Sequence, residues 1–173
     1  MELLMVMALV VIVGGISMMI IGPALEARNV EMAVRTVSTQ MSRARQYSVD
    51  ARRKTRVTFT TPGTITVEAS QGGTWSQVST ATLPGEMEFG KDGAVAAGPE
   101  GYVTTQVASF GPSNELVISF MPDGSAVDSL GILSSGVVYV AQPSKVETTR
   151  AVTLFGTTGR IKRYTYHTGT GWE

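Results

Sequence analysis

The 173-residue sequence contains no cysteine and a single histidine, His167. Without Cys there is no disulfide, no thiolate metal site, no iron–sulfur ligation and no cysteine nucleophile. One His leaves little room for zinc chemistry or a His-based acid–base dyad. Net charge is missing too, since 14 basic residues balance 14 acidic ones. Even neutrality would argue against a nucleic-acid protein, but here the charge is segregated. Arg43, Arg45, Arg52, Arg53, Lys54 and Arg56 face only Asp50 in their stretch. Between Val57 and Thr149 nine acids meet only Lys91 and Lys145, and the tail is basic again with Arg150, Arg160, Lys162 and Arg163 against Glu173.

Apolar residues are concentrated at the front. Leu3 to Gly22 reads LLMVMALVVIVGGISMMIIG without one charge. A helix of that length spans about 30 Å, the thickness of a bilayer's hydrocarbon core. The alternatives are a buried core helix or the hydrophobic region of a signal peptide. The latter is shorter, follows basic residues and precedes a small-residue cleavage site. No basic residue precedes this run, and Gly22-Pro23-Ala24-Leu25 leads on into helical sequence. The expectation is a membrane-spanning helix over 3–22. Pro23 removes one backbone hydrogen bond and crowds the carbonyl of Met19, so a kink is expected at Gly22 and Pro23. Beyond it, Val30, Val34, Val37, Met41, Ala44 and Ser48 recur at spacings of four and three. They form a narrow apolar stripe that predicts an amphipathic helix over 24–53, packed on something folded from the rest of the chain.

After Lys54 the period changes to two. Thr55–Thr60 and Thr64–Ala69 alternate around Thr61-Pro62-Gly63, which predicts a hairpin. Further strands are expected at Trp75–Thr82, Glu115–Phe120, Gly136–Gln142, Ala151–Phe155 and Arg160–His167, with the Gly- and Ala-rich region Gly90 to Gly101 as a loop. The predicted fold is α+β: a long kinked helix over 1–53, packed on an antiparallel β-sheet head over 54–173.

Few residues suggest chemistry. Gly85-Glu-Met-Glu-Phe-Gly90-Lys91 nearly fits a phosphate-binding loop. That loop needs a Ser or Thr after the Lys and a helix starting there. Asp92 stands in the hydroxyl position and Gly93 follows, so the segment reads as a strand ending in a Lys-Asp-Gly turn. Glu86 and Glu88 would share one strand face, most simply a solvated one. His167 reads as a rim side chain. No catalysis, cofactor, metal or small-molecule substrate is expected.

Arg160, Lys162 and Arg163 are the bases of most interest. On a strand, Arg160 and Lys162 share one face and Arg163 takes the other, with Tyr164 and Tyr166 close by. They suit either edge protection, where charge discourages strand pairing, or a strip that contacts phosphates. Three phosphate contacts would weaken affinity roughly 40-fold between 50 and 200 mM salt. Arg45 and Arg52 are expected on one helical face, together with Arg56 if the helix extends so far. They would meet the acids of a neighbouring subunit or those of the same head.

The layout resembles that of type IV pilins and pseudopilins, with MELLMVMALVVIVGGI at the start, then a Pro-containing amphipathic helix and a β head. Within that superfamily it resembles the group of type II secretion protein H and the minor pilin FimT. The helix end Ala44-Arg45-Gln46-Tyr47-Ser48-Val49-Asp50-Ala51-Arg52-Arg53 resembles the group's "aR..A..r...v" passage. Phe120-Met121-Pro122-Asp123-Gly124 resembles its "F.p.G" turn, and Gly159-Arg160-Ile161-Lys162-Arg163 its closing "GRxR" strand. The resemblance implies a non-enzymatic subunit that assembles with other pilins or pseudopilins through its N-terminal helix. It also implies a single pass of the inner membrane, a periplasmic head and prepilin-type N-terminal methylation. Glu2 would pair with the N-terminal amine of a neighbouring subunit; interfacial snorkelling is the other reading. Pilin precursors carry a basic leader ending in Gly, cut before a Phe. Glu2 here follows Met1 directly, so the expectation is that the gene's start lies upstream, where Gly-Phe codons would show it. The favoured function is pseudopilus assembly in type II secretion. The alternative is a FimT-like minor pilin binding DNA through Arg160, Lys162 and Arg163, where Lys162 replaces an Arg and loses its bidentate fork. A membrane-anchored β domain unrelated to pili is the third reading.

Overall fold

The computed structural model describes residues 2–95, 97–102, 107–111 and 115–173; the side chains of Glu2, Leu4 and residues 16–21 lie outside the described set. One helix, α1 (Glu2–Asp50), precedes every strand. The strands are β1 (Thr55–Thr60), β2 (Thr64–Gln71), β3 (Thr74–Thr82), β4 (Glu88–Phe89), β5 (Ala108–Phe110) and β6 (Val117–Phe120). β7 (Ala126–Val127), β8 (Gly136–Gln142), β9 (Lys145–Phe155), β10 (Arg160–His167) and β11 (Gly171–Trp172) follow. A short 3-10 turn spans Pro99–Gly101.

The strands form two antiparallel sheets. The first has the order β3-β2-β1-β6-β7 and the second β11-β10-β9-β8-β4, with β5 also paired to β8. Alternation explains the register of the first: Val57, Phe59, Ile65 and Val67 point inward and are buried, while Arg56, Thr58, Thr66 and Glu68 point out. The stripe expected on the helix is what it buries. Val30, Val34, Val37, Met41, Ala44 and Ser48 are all buried, and Ala33 widens the stripe by one position. They share one core with the inner faces of both sheets. Phe59 joins those sheets, edge-on to Phe89 at 5.5 Å and stacked on Phe110 at 5.9 Å. The second half of the helix is therefore part of the head's core.

Four local expectations are corrected. The helix stops at Asp50 rather than near Arg53, because Arg52 turns left-handed at φ 49°. The Arg53 N–H then reaches back to the Ser48 carbonyl (3.1 Å) and the Arg52 N–H to that of Val49 (3.4 Å). This six-to-one closure satisfies carbonyls that the helix end would leave bare. Arg52 and Arg56 consequently share no helical face with Arg45: Arg52 lies in the turn and Arg56 on β1. β9 starts at Lys145 instead of Ala151, since its first half pairs with the end of β8. Glu86 precedes β4 in a turn, so it shares no strand face with Glu88; its carboxylate accepts from the Gln142 amide (3.0 Å).

Candidate assembly helix and basic strand

The first half of α1 leaves the head and carries its apolar side chains into the open. Between Leu3 and Val13 the large hydrophobic side chains described are 54–73% exposed. Covering such surface is worth about 25 cal/mol per Å². Among the described residues, no helix is long and apolar enough to cross a membrane. The predicted span 3–22 includes residues 16–21, and the predicted assembly carboxylate is Glu2; these side chains lie outside the described residues. Gly22 and Pro23 lie inside α1, whose helical assignment continues through both.

At the other end of α1, three short sequence motifs meet. The Arg45 guanidinium Nε donates to the Gly124 carbonyl in the turn after β6 (3.1 Å). The same side chain covers Gly159 in the β9–β10 turn. A methyl group added there would stand 2.3 Å from the Gly124 oxygen and 2.5 Å from Arg45 Nε. Gly159 also sits at φ +62°, where only Gly is relaxed. Ser48, one turn further along the helix, donates to the Met121 carbonyl (3.0 Å). Helix end, β6–β7 turn and β9–β10 turn are thus clamped together, and the Arg side chain is a structural tie.

The three tail bases divide between the two faces of β10, as its alternation predicts. Arg163 Nη1 lies 3.8 Å from Glu31 of α1, on the helix side of the sheet. Lys162 lies on the opposite face, with Nζ 2.9 Å from the Glu100 carboxylate and 3.3 Å from the Tyr164 hydroxyl. Tyr164 donates to the same carboxylate (2.7 Å). Its hydrogen bond, with that of Lys162, holds Glu100 below the usual carboxylate range, and Glu100 in turn raises Lys162. Arg160 lies over the Phe155 ring at 5.9 Å. The alternation was legible in the sequence; Glu100, 62 residues away, carried no signal that it would meet Lys162.

The same contacts strap a loop across the outer face of the second sheet. Trp172 Nε1 donates to the Ala97 carbonyl (2.7 Å), and the Gly98 and Tyr102 backbones close on each other. Tyr139 is buried under this strap, which pushes its hydroxyl up to about 12. A second basic group was only half visible in the sequence. Arg56 binds Glu68 (2.6 Å) while its guanidinium lies 4.3 Å over the ring of Trp75. Trp75 is distant in sequence from Arg56, and only the β2–β3 pairing brings it there.

No family model and no curated protein matches the chain in sequence. Solved structures do match. The type IV minor pilin FimU of Pseudomonas aeruginosa aligns at 13% identity with a TM-score of 0.56, covering 79% of this chain and 89% of that one. A second crystal form of FimU gives 0.53 at 13% identity, over 77% and 90% of the two chains. The minor pseudopilin EpsH from the Type 2 Secretion System of Vibrio cholerae gives 0.54 at 7% identity, over 79% and 97%. At such identities the likeness speaks for architecture, and in architecture this chain has a type IV pilin-like fold.

Proposed function

We propose that this protein is a minor pilin-like structural subunit that joins a filament through α1, and that the filament is the pseudopilus of a type II secretion system. One observation carries the reading: the apolar front of α1 stands bare while its rear half is locked into the head. Such a front needs a cover that the subunit does not supply, first the inner membrane over 3–22 and then the helices of neighbouring subunits. The head would face the periplasm. Glu2, a carboxylate at the mouth of an uncharged helix, is costly unless paired, and a neighbour's N-terminal amine suits it. Gly22 and Pro23 give the helix a place to bend between its two environments.

The DNA-binding reading finds less support. Arg160, Lys162 and Arg163 divide between two faces, and two of them already lie near Glu100 and Glu31. Deleting the gene in its host and following both exoprotein release and uptake of labelled DNA separates the readings. Loss of secretion with intact uptake is expected. Loss of uptake with intact secretion would favour the DNA-uptake pilin, and loss of neither sinks both.

A further inference from the structure

Where α1 enters the head, a cleft of about 430 Å³ opens between the helix and the start of β9. Its helix wall is Pro23, Ala27 and Val30, with Glu26 among them. Its sheet wall carries Lys145, Glu147 and Arg150. Lys145 Nζ reaches the Glu26 carboxylate (2.6 Å) and ties β9 to the helix. Among the described residues that line the cleft, none is aromatic.

Two of its charges have no partner of opposite sign. Arg150 is half-buried and donates through Nη1 to the backbone carbonyls of Glu147 (2.8 Å) and Thr149 (2.9 Å). Among the described residues it forms no ion pair. Burial lowers the proton affinity of its guanidinium, and the field of Glu31 opposes that shift. Glu147 is exposed and likewise forms no ion pair among the described residues. One cation and one anion thus stand open beside the Glu26–Lys145 pair.

The depth of the cleft follows from the helix. Gly22 closes the apolar run proposed to span the bilayer, and at 1.5 Å per residue Ala27 stands about 8 Å beyond it. The headgroup layer on one side of a bilayer is about 5–8 Å thick. In the proposed membrane-resident subunit, the cleft is therefore level with the phospholipid headgroups and the bare front of α1 with their acyl chains.

We propose that this cleft binds one phospholipid with a phosphoethanolamine headgroup. The phosphate accepts from Arg150, and the terminal ammonium donates to Glu147. The glycerol end rests on Pro23 and Ala27, and the acyl chains follow the bare front of α1. The lining chemistry selects this headgroup. Two carboxylates, Glu26 and Glu147, disfavour a purely anionic one. A choline group favours aromatic faces around its methyl groups, and the lining has none, whereas a primary ammonium donates to carboxylates. The proposal rests on the membrane part of the reading above, and not on which filament the subunit joins.

The test uses the purified full chain in detergent micelles. Equimolar dioleoyl phosphatidylethanolamine, phosphatidylcholine and phosphatidylglycerol are added, and retained lipid is read by native mass spectrometry. One phosphatidylethanolamine per chain is expected, at about tenfold over either competitor, the weight of one charge-assisted hydrogen bond. Glu147→Gln should bring phosphatidylethanolamine down to the level of phosphatidylcholine. Arg150→Gln should weaken retention of all three. Glu147 is exposed, so its variant decides the matter even where Arg150→Gln disturbs the head. Equal retention of the three lipids, a preference for phosphatidylglycerol, or a preference for phosphatidylethanolamine that survives Glu147→Gln would overturn the proposal. Glycerophosphoethanolamine, which has the headgroup without acyl chains, should not displace the lipid at the same concentration; displacement would give the site to a soluble ligand. Flotation with vesicles of the same three lipids separates this proposal from the reading beneath it. A chain that floats but shows no lipid preference loses only the headgroup site, and one that does not float loses the membrane span as well.

Discussion

At Gly159 a single methyl group would meet the Gly124 carbonyl and the Arg45 side chain together, at 2.3 and 2.5 Å. Backbone lies on one side and a hydrogen-bonded guanidinium on the other, so neither neighbour can withdraw cheaply. Gly159→Ala should cost roughly 2–3 kcal/mol, combining overpacking with left-handed strain. Gly93→Ala, with nothing near its Cβ position, should be close to neutral. Urea unfolding of both variants checks the contrast, and similar midpoints would refute the clamp. Arg52 offers the reverse case. It occupies the left-handed cap position that Gly prefers, at φ 49°. Arg52→Gly should therefore raise stability by about 0.5–1 kcal/mol, strain relief being partly offset by a freer unfolded chain. An unchanged or lower midpoint would mean that the exposed side chain has a stabilising contact of its own.

At the scale of elements, the strap over Pro99–Gly101 is tied by groups that titrate. Glu100 is held below its ordinary value, so its tie to Lys162 and Tyr164 is complete above the usual carboxylate range and is lost as pH falls through the lowered one. Trp172, bonded to Ala97 of the strap, reports on it; a Trp75→Phe background leaves that indole alone. Its fluorescence should change reversibly as pH falls below the usual carboxylate range, before global unfolding, and Glu100→Gln should abolish the transition. A signal that follows only the global curve would show that the strap does not open on its own. The alkaline side has the opposite sign. Tyr139 is raised to about 12 by burial, while an unfolded Tyr ionises near 10. Its contribution is whole below about pH 10 and fades as pH rises from there to the folded value. Stability should decline over that interval, less steeply in Tyr139→Phe.

The whole molecule is asymmetric along α1, with a bare apolar front and a rear that completes a two-sheet core. This division predicts how damage separates. Met41→Ala, in the stripe, should destabilise the head by about 2–4 kcal/mol, whereas Met32→Ala, on the exposed side, should cost little. Glu2→Leu should leave the unfolding midpoint of the head unchanged and still reach the membrane, but should fail to enter the assembly. Crosslinking through single cysteines introduced at Leu9 reads this directly, since the chain has no other thiol. A Glu2→Leu variant that crosslinks like the parent would remove the carboxylate from assembly.

What the sequence determined by itself was whatever depends on neighbours along the chain. A 3.6-residue period was enough to name Val30 through Ser48 as the buried stripe, a two-residue period placed β1, and turn signals bounded β8 and β10 at their observed limits. Local sterics and hydrophobic patterning settle such features before any tertiary contact forms. Short pieces such as β5, β7 and β11 were not legible, because two or three residues carry no period and exist only by pairing with β8, β6 or β10. The same limit hid the meeting of Arg45 with Gly124 and Gly159 and the tie from Glu100 to Lys162. Those are decided by which strands lie side by side. Strand order follows from burying the helix stripe against two sheets at once, a condition on the whole chain that no local window contains.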